Sequence, residues 1–174
     1  DGPTGVNRGK PLLHAGTVAL IRAAGAIPWL VNVGRDRFSS GLYFWKMVRL
    51  GVRGKIEWIY SDYRAEPHNP FDGQGMEGGP LAYPGPEGTV LPTLPYERMR
   101  QGLDDFAYLH TLEEVARSAR PGLPRDRALA LIERTDQSMD DDYASDRGHE
   151  AQSWSDERYR RLRDDVIDAI LQLP

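Results

Sequence analysis

The sequence contains no cysteine, and this absence removes several kinds of chemistry at once. Disulfides, thiolate metal ligands and a cysteine nucleophile are all excluded. A cysteine-free chain suits a reducing compartment, but it equally suits many exported bacterial proteins. The N-terminal residues also lack the basic-then-apolar pattern of a signal peptide. The localisation therefore stays open between the bacterial cytoplasm and export.

Long apolar runs and excess positive charge are missing as well. No apolar run approaches the roughly 18 residues of a transmembrane helix, so no membrane span is expected. The formal net charge of −4 argues against nucleic acid as the main partner. The four histidines are scattered without metal-ligand spacing, and no Gly-x-Ser-x-Gly elbow is present. The sequence therefore predicts no metal site, no cofactor and no serine-hydrolase chemistry.

Helical and strand patterns alternate in the first third of the chain. Pro11 suits the first turn of a helix over residues 11–24 and Gly25 the position just past its end, while three- and four-residue apolar spacing predicts a helix over residues 36–50. β-rich segments at 26–33 and 53–60 predict strands, and the first of them reads as fully buried. Such alternation is typical of a parallel sheet with crossover helices, so the predicted class is α/β.

A long segment, 61–93, follows without periodicity and is rich in glycine and proline. A loop of this length inside a compact domain is usually functional or disordered, and its aromatic residues argue against full disorder. Three helices are predicted after it, at 94–119, 124–138 and 156–172. The side chains expected to face inward are Met99, Leu103, Phe106, Leu109, Leu112 and Val115 in the first, Leu129, Ile132 and Met139 in the second, and Tyr159, Leu162, Val166, Ala169, Ile170 and Leu173 in the third.

Three blocks of residues resemble a known family. They are the strand Pro28–Asn32, the helix-and-strand unit Arg37–Tyr60, and a Tyr-Pro-Gly loop at 79–85 that leads to a helix at 96–109. That helix matches the pattern E-x-x-R-x-G-x-x-D-x-x-Y-L with Glu97, Arg100, Gly102, Asp105, Tyr108 and Leu109. The blocks resemble the C-terminal part of the catalytic domain in the glycoside hydrolases of domain of unknown function 4091, which are related to glycoside hydrolase family 123. Pro95 and Gln101 depart from the family, which usually has Arg and Asp there.

The resemblance implies a fold and an activity. With 174 residues the chain is too short for a complete eight-fold barrel of roughly 250 residues. Residues 1–118 are expected to be the last strand–helix units of a (β/α)8 TIM-like barrel, with 119–174 as a helical extension packed on it. The implied activity is glycoside hydrolysis, including N-acetylhexosaminide linkages cleaved by a substrate-assisted retaining mechanism. The family's Asp-Glu pair has no match here, so the catalytic residues stay unknown and upstream, and this chain alone is expected to be inactive. The alternative is a non-catalytic module that binds carbohydrate or protein.

Candidate substrate-binding residues lie where the predicted strands end, because barrel sites form at the carboxyl ends of strands. Trp58, Tyr60 and Tyr63 are candidates for stacking on a sugar, with Trp58 and Tyr60 on one face of their strand. Asn32, Arg35 and Asp62 are candidates for hydrogen bonds to hydroxyls. The competing interpretation of the strand aromatics is that they are ordinary core residues.

Three charged residues on the helix after the long loop form a separate prediction. Glu97, Arg100 and Asp104 have the three- and four-residue spacing of helical ion pairs. They are predicted to pin the long loop structurally. Simple surface ion pairs are the alternative.

Overall fold

The structure, a computed structural model, describes residues 15–31, 33–57, 81–143 and 154–173. These residues form a helix-rich α/β arrangement with two small sheets. In chain order the elements are α1 (Ala15–Ala23), β1 (Trp29–Val31), α2 (Arg37–Ser40), α3 (Leu42–Leu50), β2 (Gly54–Ile56), β3 (Ala82–Pro84), a 3-10 turn (Pro86–Gly88), β4 (Val90–Pro92), α4 (Leu94–Ser118), α5 (Leu123–Tyr143) and α6 (Asp156–Gln172). The broad α/β class is confirmed, whereas a closed barrel is not seen among the described residues. No described helix is long and apolar enough to cross a membrane.

β1 and β2 are neighbouring parallel strands, as the alternating pattern predicts. Trp29 pairs with Gly54, and Val31 pairs with Ile56. Helices α2 and α3 form the crossover between the two strands. The unit is therefore strand–helix–strand, with both carboxyl ends at one edge.

The predicted helix over 36–50 is two helices, separated at Gly41. A Cβ on Gly41 would lie 2.7 Å from the carbonyl oxygen of Gly102 on α4, which leaves room for glycine only. Asp36 caps α2, because its side chain accepts a hydrogen bond from the Ser39 amide. Gly51 ends α3 in the left-handed conformation with a φ of 110°, as is common for a glycine just past a helix.

One face of the β1–β2 sheet is buried and the other is open. Leu30 is only 1% exposed and belongs to the core under the helices. Its neighbours Trp29 and Val31 are 50% and 42% exposed, and Ile56 on the paired strand is 49% exposed. The prediction of a fully buried strand is therefore wrong for this face, because the helices of the unit cover only the Leu30 side.

The last part of the predicted loop 61–93 is a hairpin. β3 and β4 pair antiparallel across the 3-10 turn, with Tyr83 opposite Leu91. Thr93 then joins the hairpin to α4: its hydroxyl donates to the Leu81 carbonyl at 2.9 Å and caps the helix at the Tyr96 amide. The prediction of a loop without strands is wrong here, since each strand has only three residues, one of them proline, which is too short to show alternation.

Helix α4 is the centre of the molecule and contacts α2, α3, α5 and α6. Its buried stripe is Gly102, Asp105, Leu109, Leu112 and Ala116. The predictions for Leu109 and Leu112 are confirmed, but Leu103 is 44% exposed and faces outward. The stripe is rotated toward Gly102 and Asp105, because these residues make the close contact with α2.

The two C-terminal helices pack on the same core. In α5 Ile132 and Met139 are buried as predicted, whereas Leu129 is 41% exposed and its inward prediction is wrong. In α6 Tyr159 and Val166 are buried as predicted. Partly buried side chains complete that face, namely Leu162, Ala169, Ile170 and Leu173.

Candidate functional site

The carboxyl ends of β1 and β2 bring a set of charged residues to one edge of the sheet. β1 leads into a turn that carries Arg35 and Asp36, and β2 ends beside Glu57. Ligand sites of parallel α/β sheets lie at this edge. The edge is therefore the candidate site, and the turn Gly34–Asp36 is its described centre.

The backbone of the turn Gly34–Asp36 is fixed by its own residues. Gly34 has a φ of 120°, and a Cβ there would lie 2.5 Å from Ser39 Oγ, so only glycine fits without strain. Asp36 accepts hydrogen bonds from the Ser39 amide at 2.9 Å and from the Ser39 hydroxyl at 2.6 Å. Arg35 is held between these two fixed positions and is half-buried.

Lys55 of β2 binds the turn Gly34–Asp36 from the neighbouring strand. Its side chain is only 7% exposed, and its ammonium donates to the Gly34 carbonyl at 2.6 Å and to Ser40 Oγ at 2.9 Å. The same ammonium lies 2.9 Å from Oε1 of Glu57, whose side chain is 9% exposed. This contact with Glu57 is an ion pair without hydrogen-bond alignment, since Oε1 receives no hydrogen bond. Lys55 thus joins β2, the turn after β1 and helix α2.

Burial lowers the pKa of Lys55 below its usual range, and the Glu57 carboxylate offsets this only in part. The positive charge of nearby Arg35 acts in the same direction as burial. Each of the three neighbours of the ammonium is a hydrogen-bond acceptor or a negative charge, and these contacts favour the charged form.

A second charged cluster lies between α2, α4 and α6. Arg37 donates twice to Asp105, at 2.6 and 3.0 Å, and Arg163 donates to the same carboxylate at 2.6 Å. Asp105 is only 5% exposed. The Arg37 guanidinium also stacks on the Tyr159 ring at 3.9 Å. We call these four residues the Asp105 cluster; it fixes the crossover helix α2, which follows the site turn directly.

The structure describes only part of the predicted substrate-binding set. Arg35 lies at the carboxyl edge of β1, as predicted. The others lie outside the described residues and stay predictions, namely Asn32, Trp58, Tyr60, Asp62 and Tyr63.

The three residues predicted to pin the long loop form ion pairs along one helix. Arg100 lies 2.8 Å from Glu97 and 3.3 Å from Asp104, and all three are on α4. These pairs are solvent-exposed, so each stabilises the helix only slightly. Their role in holding the loop stays a prediction, because residues 61–80 lie outside the described part of the chain.

The sequence prediction missed Lys55 and Glu57, although a signal was present. The two charged residues are two positions apart in the predicted strand 53–60, which places them on one face. Asp36 was missed as a cap, although an aspartate just before a predicted helix is a common capping signal. Asp105 was noted only as a member of the helical pattern.

A shallow groove lies between α4 and α6, away from the sheet edge. It encloses about 570 Å³. Its walls are Asp104, Ala107, Tyr108, Thr111, Arg163, Ile167, Ile170 and Leu171. Most of the surface that lines the groove is apolar, and Leu171 is 77% exposed.

Comparison with protein-family models, with curated proteins and with solved structures found no match for this chain. Among the described residues, no group of three or more His, Asp or Glu side chains is placed to hold a metal ion. The chemical interpretation of the site therefore depends on its geometry and on the family resemblance of the sequence.

Proposed function

We propose that this chain forms one wall of the substrate cleft of a glycoside hydrolase whose catalytic acids lie outside it. The observation that carries the proposal is the parallel β1–β2 pair, which brings Arg35 and its fixed turn to the carboxyl edge. Barrel glycosidases bind their substrates at this edge. Residues in such a wall bind and orient the sugar, and the acid and base steps belong to the missing carboxylates.

The open face of the sheet supports a place in a larger barrel. Parallel sheets are normally covered on both faces, yet Trp29, Val31 and Ile56 form an exposed apolar surface here. Side chains from further parallel strands would cover this surface in a (β/α)8 barrel.

The residues that carry the family resemblance give further support. Gly102 lets α4 approach the α2–α3 break within contact distance of Gly41. Asp105 binds Arg37, so the crossover unit is locked to α4. Gly102 and Asp105, two positions of the family's helical pattern, thus each make a contact that depends on the residue type. This supports a fold shared with the family.

The decisive experiment is a hydrolysis assay of the full-length parent protein. We expect cleavage of aryl N-acetylhexosaminides, with aryl hexosides lacking the acetamido group cleaved poorly. Arg35→Ala should lower kcat/KM about tenfold, the scale of one lost hydrogen bond to a charged group. Arg53→Ala is the matched control, because this exposed arginine lies at the amino end of β2. Absence of cleavage with both kinds of glycoside would overturn the proposal.

The second candidate function is a protein-binding module, and the groove between α4 and α6 favours it. Its apolar walls and size suit one face of a short amphipathic helix. No hydrolysis by the parent protein, together with partner-induced NMR shifts at Ala107, Thr111 and Ile167, would favour this candidate over the enzyme.

A further inference from the structure

Strand packing alone does not explain why the ammonium of Lys55 is buried. Strand residues on the helix-covered face are usually apolar, as Leu30 is at the paired position of β1. A lysine there costs desolvation. That cost is offset by hydrogen bonds to Gly34 of the site turn and Ser40 of the helix that follows it, and by the ion pair with Glu57.

The bond to Gly34 acts directly on the residue that carries Arg35. The Gly34 carbonyl belongs to the peptide unit whose nitrogen is that of Arg35, so the 2.6 Å bond fixes the plane of this peptide. On the other side of Arg35, Asp36 is fixed by its two bonds to Ser39. Hydrogen bonds therefore restrain the backbone on both sides of Arg35. The bond on the Gly34 side comes from Lys55 on the neighbouring strand.

We propose that Lys55 is a positioning residue that acts through Arg35, holding the site turn in the conformation that binds the sugar. This inference rests on the proposed function for its ligand. Glu57 keeps the Lys55 side chain in place and compensates its charge. A backbone that is already fixed loses less freedom when the side chain it carries binds a ligand.

A matched pair of buried lysines makes the proposal testable. Lys46 on α3 is also largely buried, at 13% exposed, and it contacts Asp136 through both the backbone carbonyl at 3.1 Å and the carboxylate at 3.4 Å. It belongs to the α3–α5 contact and not to the sheet edge. Lys55→Met and Lys46→Met should both lower stability, but only Lys55→Met should disturb the turn.

The first measurement needs no ligand. We expect amide hydrogen exchange at Ser39 and Ser40, whose amides donate to Asp36 at 2.9 and 3.2 Å, to be about tenfold faster in Lys55→Met than in the wild-type chain, and unchanged in Lys46→Met. Equal exchange in the two variants would overturn the positioning role, whatever the chain binds.

The second measurement is titration of the 174-residue chain with methyl N-acetyl-β-glucosaminide, followed by NMR shifts. We expect Lys55→Met to weaken binding about tenfold, Lys46→Met less than twofold, and the double variant of Lys55→Met with Arg35→Ala to bind no more weakly than Arg35→Ala alone. Fully additive losses would mean that Lys55 does not act through Arg35, which contradicts the proposal. If the wild-type chain and the parent protein bind no sugar while the exchange result holds, the proposed function fails and the positioning role stands.

Discussion

The Asp105 cluster gives the sharpest test of how this fold is held together. In Asp105→Asn the side chain keeps its shape but loses its charge. The new amide oxygen still accepts a hydrogen bond from one guanidinium, while the amide NH2 faces the other. Arg37 and Arg163 would then be two positive charges, 17% and 31% exposed, with no buried counter-charge between them.

The size of the effect follows from burial. Removing one partner of a buried ion pair typically costs about 3–5 kcal/mol, because the remaining charge stays buried without compensation. Asp105 is 5% exposed and accepts three hydrogen bonds, but water partly screens Arg163. We therefore expect a loss near the lower limit, about 3 kcal/mol. With a urea slope of about 2 kcal/mol per molar, the unfolding midpoint should fall by about 1.5 M.

The neighbouring aspartate provides the control. Asp104 is on the same helix, but its side chain is 48% exposed and its contact with Arg100 is 3.3 Å. Asp104→Asn should change the free energy of unfolding by less than about 1 kcal/mol. Urea unfolding followed by far-ultraviolet circular dichroism measures both variants. Equal effects of the two substitutions, or a loss below 1 kcal/mol for Asp105→Asn, would refute the assignment of the cluster as the lock between α2, α4 and α6.

Two further predictions concern backbone contact and pH. Gly102→Ala should lower the free energy of unfolding by more than about 2 kcal/mol, because the new Cβ would lie 2.5 Å from the Arg37 carbonyl oxygen. Gly16→Ala is the control: its Cβ has open space, and the substitution should stabilise α1 by about 0.5–1 kcal/mol. Thermal unfolding compares the two variants, and similar melting temperatures would contradict the close contact at Gly102. Burial raises the pKa values of Tyr43 and Tyr159 above the usual tyrosine range. The unfolded chain therefore loses these protons first, so stability should be constant with respect to these groups below about pH 10 and fall above it, by up to about 1.4 kcal/mol per pH unit for each tyrosine. Tyr43→Phe should reduce that slope in urea unfolding between pH 9 and 11, and an unchanged slope would show that Tyr43 titrates normally.

Helices and strand direction were predictable because their signals are local. α6 begins after the capping residue Ser155 and ends at Gln172, so both of its predicted bounds are confirmed. Thr93 and Pro95 likewise mark the start of α4. The alternation of strand and helix predicted a parallel pair, because a short crossover leaves few other arrangements.

The site was predictable only in part. The end of a strand placed Arg35 at the carboxyl edge, since that position depends on strand direction alone. The role of Lys55 was not predictable, because it depends on which loop lies within reach of its ammonium in the folded chain. The sequence pattern around a strand lysine does not show whether its ammonium will face water or bind a backbone carbonyl.

What the sequence determined by itself is the three C-terminal helices and the strand–helix–strand order before the hairpin: capping residues, glycines and apolar spacing act within a few residues and indicate where these elements lie. Tertiary structure alone decided which sides of them face each other. It broke the predicted helix at Gly41, turned α4 so that Asp105 faces inward and Leu103 outward, and left the Trp29 face of the sheet open. The physical reason is that burial depends on contacts between residues far apart in the chain, such as Arg37 and Asp105, and these contacts leave no periodic pattern in the sequence.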